Sequence, residues 1–443
     1  MRRLLLVVFT VSVVAYVDPQ FGGQPEGRTM KKTRYSVIVC GAKGDGQHDD
    51  TAAFQRAIQG AFEAGGGVVE VPAGRYLIAS FIKILPGVTL QGVWKAPHHQ
   101  TDSWGTTLLA TYGRGDEDAT PLVTLSPSSA IRGVKIYYPE QSPFDIKPYP
   151  WAIEGAGMHG SVENVTLVNA YQGIQFAARH ELHLIRNVYG CVLRRGIFID
   201  RCTDIGRIEN VHFNPHYWMR ANVLSEEEKN AWGPVLQFMN ANLDAFTFAH
   251  TDWQSVLNTF CYGFHRGYYF IQGESGSCNG SFVGIGADGG HYGVYAEASQ
   301  SPGILITNGQ FVTFSGDKPT EVVTTPDFRG VLQLSNCSFW GGAYRCALLQ
   351  GPGHVSFHQC NFLHWGVMGR RGGPSPDKPH AIRAEAGNLS IQGCRFPMDR
   401  PHIFLGQNLR SAVVLGNHFT GKRAQITDKG KDNRQIGMNV VIP

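Results

Sequence analysis

Glu163-Asn164-Val165, Arg186-Asn187-Val188 and Glu209-Asn210-Val211 repeat one short pattern, and the asparagines stand 23 residues apart each time. Gly173-Ile174 and Gly196-Ile197 follow the first two by nine residues, and Gly267-Tyr268 keeps the same offset from Asn258. A fixed period of this length marks stacked repeats, each of which needs its neighbours to bury an apolar face. Further along, Asn308-Gly309-Gln310-Phe311, Asn336-Cys337-Ser338-Phe339, Gln359-Cys360-Asn361-Phe362, Gly393-Cys394-Arg395-Phe396 and Gly416-Asn417-His418-Phe419 share a second form. Phe339 to Phe362 and Phe396 to Phe419 are again 23 residues.

Each period holds short alternating apolar runs broken by Gly or Asn, and no helical run. The dense leucine framework of leucine-rich repeats is missing. The pattern predicts an all-β chain, a single-stranded right-handed parallel β-helix with rungs of about 23 residues. Equivalent strands then pair about 4.8 Å apart and like side chains stack in columns. Cys337, Cys360 and Cys394 are expected in such a column as small buried apolar groups rather than redox or metal centres. The nine cysteines are an odd number, so not all of them can pair within the chain.

Outward from the repeats, the chain divides into three expected parts. Met1-Arg2-Arg3 followed by the apolar residues 4–15 reads as a signal peptide, 1–15, too short for a membrane span. Residues 16–33 read as a linker, and 34–443 as the β-helix domain. Asp50 to Ala64 reads as a capping helix with Asp50 as N-cap and Phe54, Ile58 and Phe62 on one face. Ser225-Glu226-Glu227-Glu228 opens a helical insertion near 225–243. The tail after Thr420 is expected to cover the far end of the coil. A net charge of +4 and no Lys/Arg run speak against nucleic acid. With the signal peptide removed, no membrane association is expected, and the location is secreted or periplasmic.

Residues 41–54 (Gly41-Ala42-Lys43-Gly44-Asp45-Gly46 through Asp49-Asp50-Thr51), residues 65–76 (Gly65-Gly66-Gly67 through Tyr76) and Leu85-Pro86-Gly87-Val88-Thr89-Leu90 resemble the opening of the pectate-lyase-like superfamily. The resemblance covers roughly residues 34–93 and implies a right-handed parallel β-helix. It implies little about activity, because hydrolases, lyases, epimerases and phage tailspikes share that opening. Asp45, Asp49 and Asp50 are read as turn and cap residues. The polygalacturonase Asn-Thr-Asp signature has only Asn258-Thr259-Phe260 as an echo, so no catalytic residues transfer.

The repeat register supplies candidates instead. Six residues before Asn187, Asn210 and Asn258 stand Glu181, Asp204 and Asp252. Stacked coils would align these carboxylates about 5 Å apart, alternate members about 10 Å apart, near the spacings of glycosidase acid pairs. The expected role is catalytic: one of Asp204 and Asp252 as general acid, the other or Glu181 as base or nucleophile. His216, Tyr217, Trp218, His250 and Trp253 flank the helical insertion and are expected to bind sugar rings. Arg201 is read as a uronate ligand and Asp288 as a secondary binding residue. The expectation is a polysaccharide-cleaving glycoside hydrolase without metal or other cofactor. A uronate lyase or epimerase, in which Ca²⁺ would have a place, and a non-catalytic glycan-binding shaft are the alternatives. A homotrimer is compatible with any of the three.

Overall fold

The computed structural model describes residues 34–95, 104–367, 369, 372–430 and 432–443. The expected signal peptide and linker lie outside the described residues. Among the described residues no helix is long and apolar enough to cross a membrane.

Among the described residues, thirty-four strands join in one continuous ladder. Every strand pairing in it is parallel, each strand lying on its equivalent one coil away; one coil shows the pattern. Ile304–Thr307 pairs with Cys278–Val283 before it and Val331–Ser335 after it, forming sheet 1. Gln310–Thr313 pairs with Gly286–Gly290 and Ser338–Trp340, forming sheet 2. Thr320–Thr324 pairs with Tyr292–Ala296 and Arg345–Leu349, forming sheet 3. The chain is a right-handed parallel β-helix with three faces and three corners per coil.

The repeated asparagine makes the corner between sheets 1 and 2. Asn164, Asn187, Asn210, Asn258, Asn308 and Asn336 all have φ between 51° and 58°, a left-handed conformation that Asn tolerates and β-branched residues do not. Their amides stack from coil to coil: Asn210 Nδ2 donates to Asn187 Oδ1 at 2.8 Å, Asn187 to Asn164 at 3.1 Å, and Asn336 to Asn308 at 2.7 Å. Inside, Phe311, Phe339, Phe362, Phe396 and Phe419 form one column with successive centroids 4.7–5.6 Å apart. Cys337, Cys360 and Cys394 are buried free thiols. Cys337 and Cys394 accept backbone N–H groups, from Gly309 and Cys360 respectively, each at 3.4 Å.

Helix α1 (Thr51–Glu63) packs on the first coils, and Phe54 and Ile58 are fully buried. Two details differ from expectation. Phe62 is 41% exposed, because the buried face runs through Phe54, Ala57, Ile58 and Ala61 and leaves Phe62 at its edge. Asp50 makes no side-chain cap; it is buried and accepts from the Lys43 and Gly44 amides at 2.6 and 3.1 Å. Asp49 takes the capping part, accepting from Thr51 N at 3.0 Å. The C-terminal tail is part of the coil rather than a cover over it: Ile426–Asp428, Arg434–Gly437 and Val440–Ile442 add one further rung, a strand on each face.

Sheet 2 leads to sheet 3 through loops of very different length. The longest of the central coils carries α2 (His216–Met219), α3 (Glu226–Lys229) and α4 (Trp232–Asn242). Ser225 caps α3 in a complete capping box with Glu228.

Candidate functional site

The third corner, from sheet 3 to sheet 1, carries the acid residues. Ser128, His159, Leu182, Ile205 and Trp253 there have φ of 57°, 61°, 56°, 36° and 58°. Each stands two residues before Ala130, Ser161, Leu184, Arg207 and Ser255, which align in sheet 1. Glu181, Asp204 and Asp252 are the residues immediately before three of these left-handed positions, and so hold one equivalent place in successive coils. The amide of Leu182 donates to the Asp204 carbonyl at 3.0 Å, and that of His159 to the Glu181 carbonyl at 2.9 Å. Leucine, isoleucine and tryptophan pay steric strain at positive φ, and such strain gathers at functional turns.

Upstream the alignment slips by one. His180, Cys202 and Thr251 bridge one another, so Thr203 is an extra residue in its coil. Its hydroxyl donates to Glu181 Oε1 at 2.9 Å. Asp252 is half-exposed; Gln300 donates to its Oδ1 at 2.7 Å, and His250 Nε2 lies 3.7 Å away. Asp204 is exposed. Trp253 is 73% exposed, its amide held by Asn279 Oδ1 at 3.0 Å. Beneath them is Cys202. Burial foremost, and then the charges of Asp252, Asp204 and Glu181, push its thiol up to about 12, against a hydrogen bond with the Asp204 backbone. All three carboxylates thus bear on one thiol. Arg201, at the same corner, donates to Glu274 Oε2 at 3.2 Å and lies 3.9 Å from Asp200, so its charge is partly neutralised.

The remaining candidates lie elsewhere, which corrects the expectation of one site. His216, Tyr217 and Trp218 are on α2 at the corner between sheets 2 and 3. Tyr217 and Trp218 are buried. Tyr217 packs on Tyr189 and places its hydroxyl 3.3 Å from His212 Nδ1. The His216 ring packs on Trp232 at 4.4 Å. These residues fasten the insertion to the coil. The physical reason is that 23 residues visit three corners, so nearness in sequence to Asp204 does not mean the same side. Asp288 lies on sheet 2, in register with Tyr262 and Val312. It lines a groove of about 380 Å³ with Asn258, Phe260, Gln310 and Trp340.

A second constellation escaped the sequence reading. On the outer face of sheet 3, Trp151, Gln175, Arg194, Arg195, Phe198 and Tyr269 surround a groove of about 350 Å³. Asp244 at its edge receives a bidentate pair from Arg266 at 2.6 and 2.9 Å. Arg266 in turn lies 3.8 Å above the Tyr269 ring. Burial raises the Glu154 carboxyl, against a hydrogen bond from Gln175. The signal was present: Arg195 and Arg266 directly precede the landmark glycines Gly196 and Gly267.

Residues 35–110 match the family described as rhamnogalacturonase A/epimerase, pectate lyase-like. Mannuronan C5-epimerase AlgE2 of Azotobacter vinelandii is 37% identical over 89 residues, 20% of this chain and 9% of that protein. Alginate lyase 7 of the same organism is 53% identical over 45 residues, 10% of this chain and 5% of that protein. The chain thus spans less than a tenth of the length of either relative. Among solved structures, a double mutant of the tailspike protein of E. coli bacteriophage HK620 aligns with a TM-score of 0.52 at 11% identity, covering 89% of this chain and 78% of that one. The chain has the parallel β-helix fold of the pectate-lyase-like superfamily, and its opening coils carry that superfamily's sequence signature.

Proposed function

We propose that this protein is a carbohydrate-active enzyme that hydrolyses a polysaccharide at the corner between sheets 3 and 1. The observation that carries the reading is the equivalent placement of Glu181, Asp204 and Asp252 beside the exposed Trp253. Adjacent coils separate such residues by about 4.8 Å and alternate coils by about 10 Å. Retaining glycosidases need about 5–5.5 Å and inverting ones about 6.5–9.5 Å. One of Asp204 and Asp252 serves as general acid, the other or Glu181 as base or nucleophile, and Trp253 offers a face for a sugar ring. His250 Nε2, 3.7 Å from Asp252 Oδ1, helps to position that carboxylate. Hydrolysis by this route needs no metal or other cofactor, and a polymer substrate fits the secreted or periplasmic location expected from the sequence. Asp204→Ala and Asp252→Ala are each expected to lower polysaccharide turnover by at least 100-fold, on the scale of general acid–base catalysis, with the melting temperature nearly unchanged. Wild-type activity in either variant, measured by reducing-end release, removes the assignment.

The Arg-lined groove on sheet 3 favours a second reading, lyase or epimerase action on a uronate polymer. Arg194 and Arg195 would neutralise the uronate carboxylate, and the matched relatives are named as an epimerase and an alginate lyase. Under this reading Arg195→Ala, not Asp204→Ala, abolishes turnover, and the product of a lyase carries the ultraviolet absorbance of an unsaturated uronate.

A further inference from the structure

We infer that His180, His183 and Cys202 form a zinc site that clamps two successive coils together beneath the acid-bearing corner. His180 and Cys202 are bridge partners in adjacent coils. All three side chains are fully buried, and one donor atom from each lies within 4.8 Å of the others.

The proton inventory of this cluster is what points to a cation. His180 Nδ1 lies 2.8 Å from the Ala178 carbonyl, which can only accept. That nitrogen therefore carries the proton, and Nε2 presents a lone pair. His180 Nε2 is 2.9 Å from His183 Nδ1, so the His183 proton is on Nδ1 and its Nε2 is bare. His183 Nε2 is buried with no hydrogen-bond partner, and so is Gln254 Oε1. Both reach the same small space: a Cβ on Gly206 would lie 2.5 Å from the one and 2.6 Å from the other. Two bare acceptors face one buried space, and leaving both without a donor is costly.

A zinc ion on His180 Nε2, His183 Nδ1 and Cys202 Sγ resolves the conflict. The His183 proton moves to Nε2 and is donated to Gln254 Oε1. The thiol proton leaves to solvent, so one proton is released per ion bound. His180 Nδ1 then donates to the Ala178 carbonyl, as the free ring nitrogen of a ligating histidine commonly does. Zn–N bonds of about 2.0–2.1 Å at a tetrahedral angle place the two nitrogens about 3.3 Å apart, a small opening from 2.9 Å. A two-nitrogen, one-sulfur donor set suits zinc and not calcium or magnesium. The neighbouring carboxylates add a field that favours a cation. Gly206 leaves room for the His183 ring, since a Cβ there would lie 2.0 Å from its Cε1.

The full chain, stripped with chelator and reloaded, is expected to retain one zinc by elemental analysis and to melt higher with zinc than without. Cobalt in place of zinc should show a thiolate-to-metal charge-transfer band. Cys202→Ser should lose that band and weaken binding at least 100-fold. Gln254→Leu, which removes only the acceptor for His183, should weaken it about 10-fold. Failure of the wild-type chain to take up metal overturns the inference, with Gln254 then donating its amide to His183. Uptake without the thiolate band also overturns it, since that places the ion on surface acids. Should Cys202→Ser not fold, the wild-type cobalt spectrum decides alone.

Discussion

Glu321 and Trp253 each sit in surroundings that conflict with their chemistry. Glu321 is fully buried, neither carboxylate oxygen has a hydrogen bond of good geometry, and burial pushes its carboxyl well above the usual range. A raised carboxyl binds its proton more tightly folded than unfolded. Its contribution is therefore favourable below the unfolded value and lost as pH rises through the folded one. Glu321→Leu should stabilise the protein by about 1–3 kcal/mol at pH 8, the cost of an unsatisfied buried polar group, and by less at pH 5; denaturant melts at the two pH values measure this. Trp253 stores strain of another kind, a bulky side chain at φ 58° that is 73% exposed. Trp253→Gly relieves about 1–2 kcal/mol of left-handed strain and costs about 0.5–1 kcal/mol of chain entropy. The variant should melt slightly higher yet bind polysaccharide more weakly, as affinity electrophoresis would record.

At the scale of the element, the asparagine corner explains why the fold was legible. A bend in left-handed conformation admits few residues, so Asn164, Asn187 and Asn210, with Gly284, Gly393 and Gly416 at the same place, print the coil period into the sequence. Asn187→Ala should cost about 1–2 kcal/mol in backbone strain and about 1 kcal/mol for each of its two ladder bonds. Asn187→Gly should recover the backbone part, which urea titration of the two variants separates. The acids were legible through the same register, because Glu181, Asp204 and Asp252 all precede a left-handed residue. Their companions were not. Sequence distance does not say which of three corners a residue occupies, and His216, Tyr217 and Trp218 fell at another. The Arg-rich face of sheet 3 was hidden for a different reason: Arg195 and Asp244 face each other only through strand pairing across the whole helical insertion. The capping of α1 passed from Asp50 to Asp49 because the loop at Lys43 and Gly44 needed a buried acceptor.

Across the whole molecule, each coil touches mainly its two neighbours, so stability is nearly a sum of local terms. Phe362 stacks on Phe339 at 4.9 Å and on Phe396 at 4.7 Å. Phe362→Ala should cost about 3–5 kcal/mol. Hydrogen exchange should show the loss confined to the surrounding coils, with residues 130–200 still protected. The ladder bonds run from coil to coil, as from Asn336 N to the His358 carbonyl at 2.9 Å and from Gln359 N to the Gln392 carbonyl at 2.9 Å. Pulled by its two ends, such a molecule bears the load on these bonds one turn at a time, in series. Mechanical failure therefore proceeds by peeling, and each 23-residue coil set free pays out about 80 Å of slack. An optical trap would trace a regular low-force sawtooth, whereas the same chain tugged across its long axis would resist until many bonds gave way together.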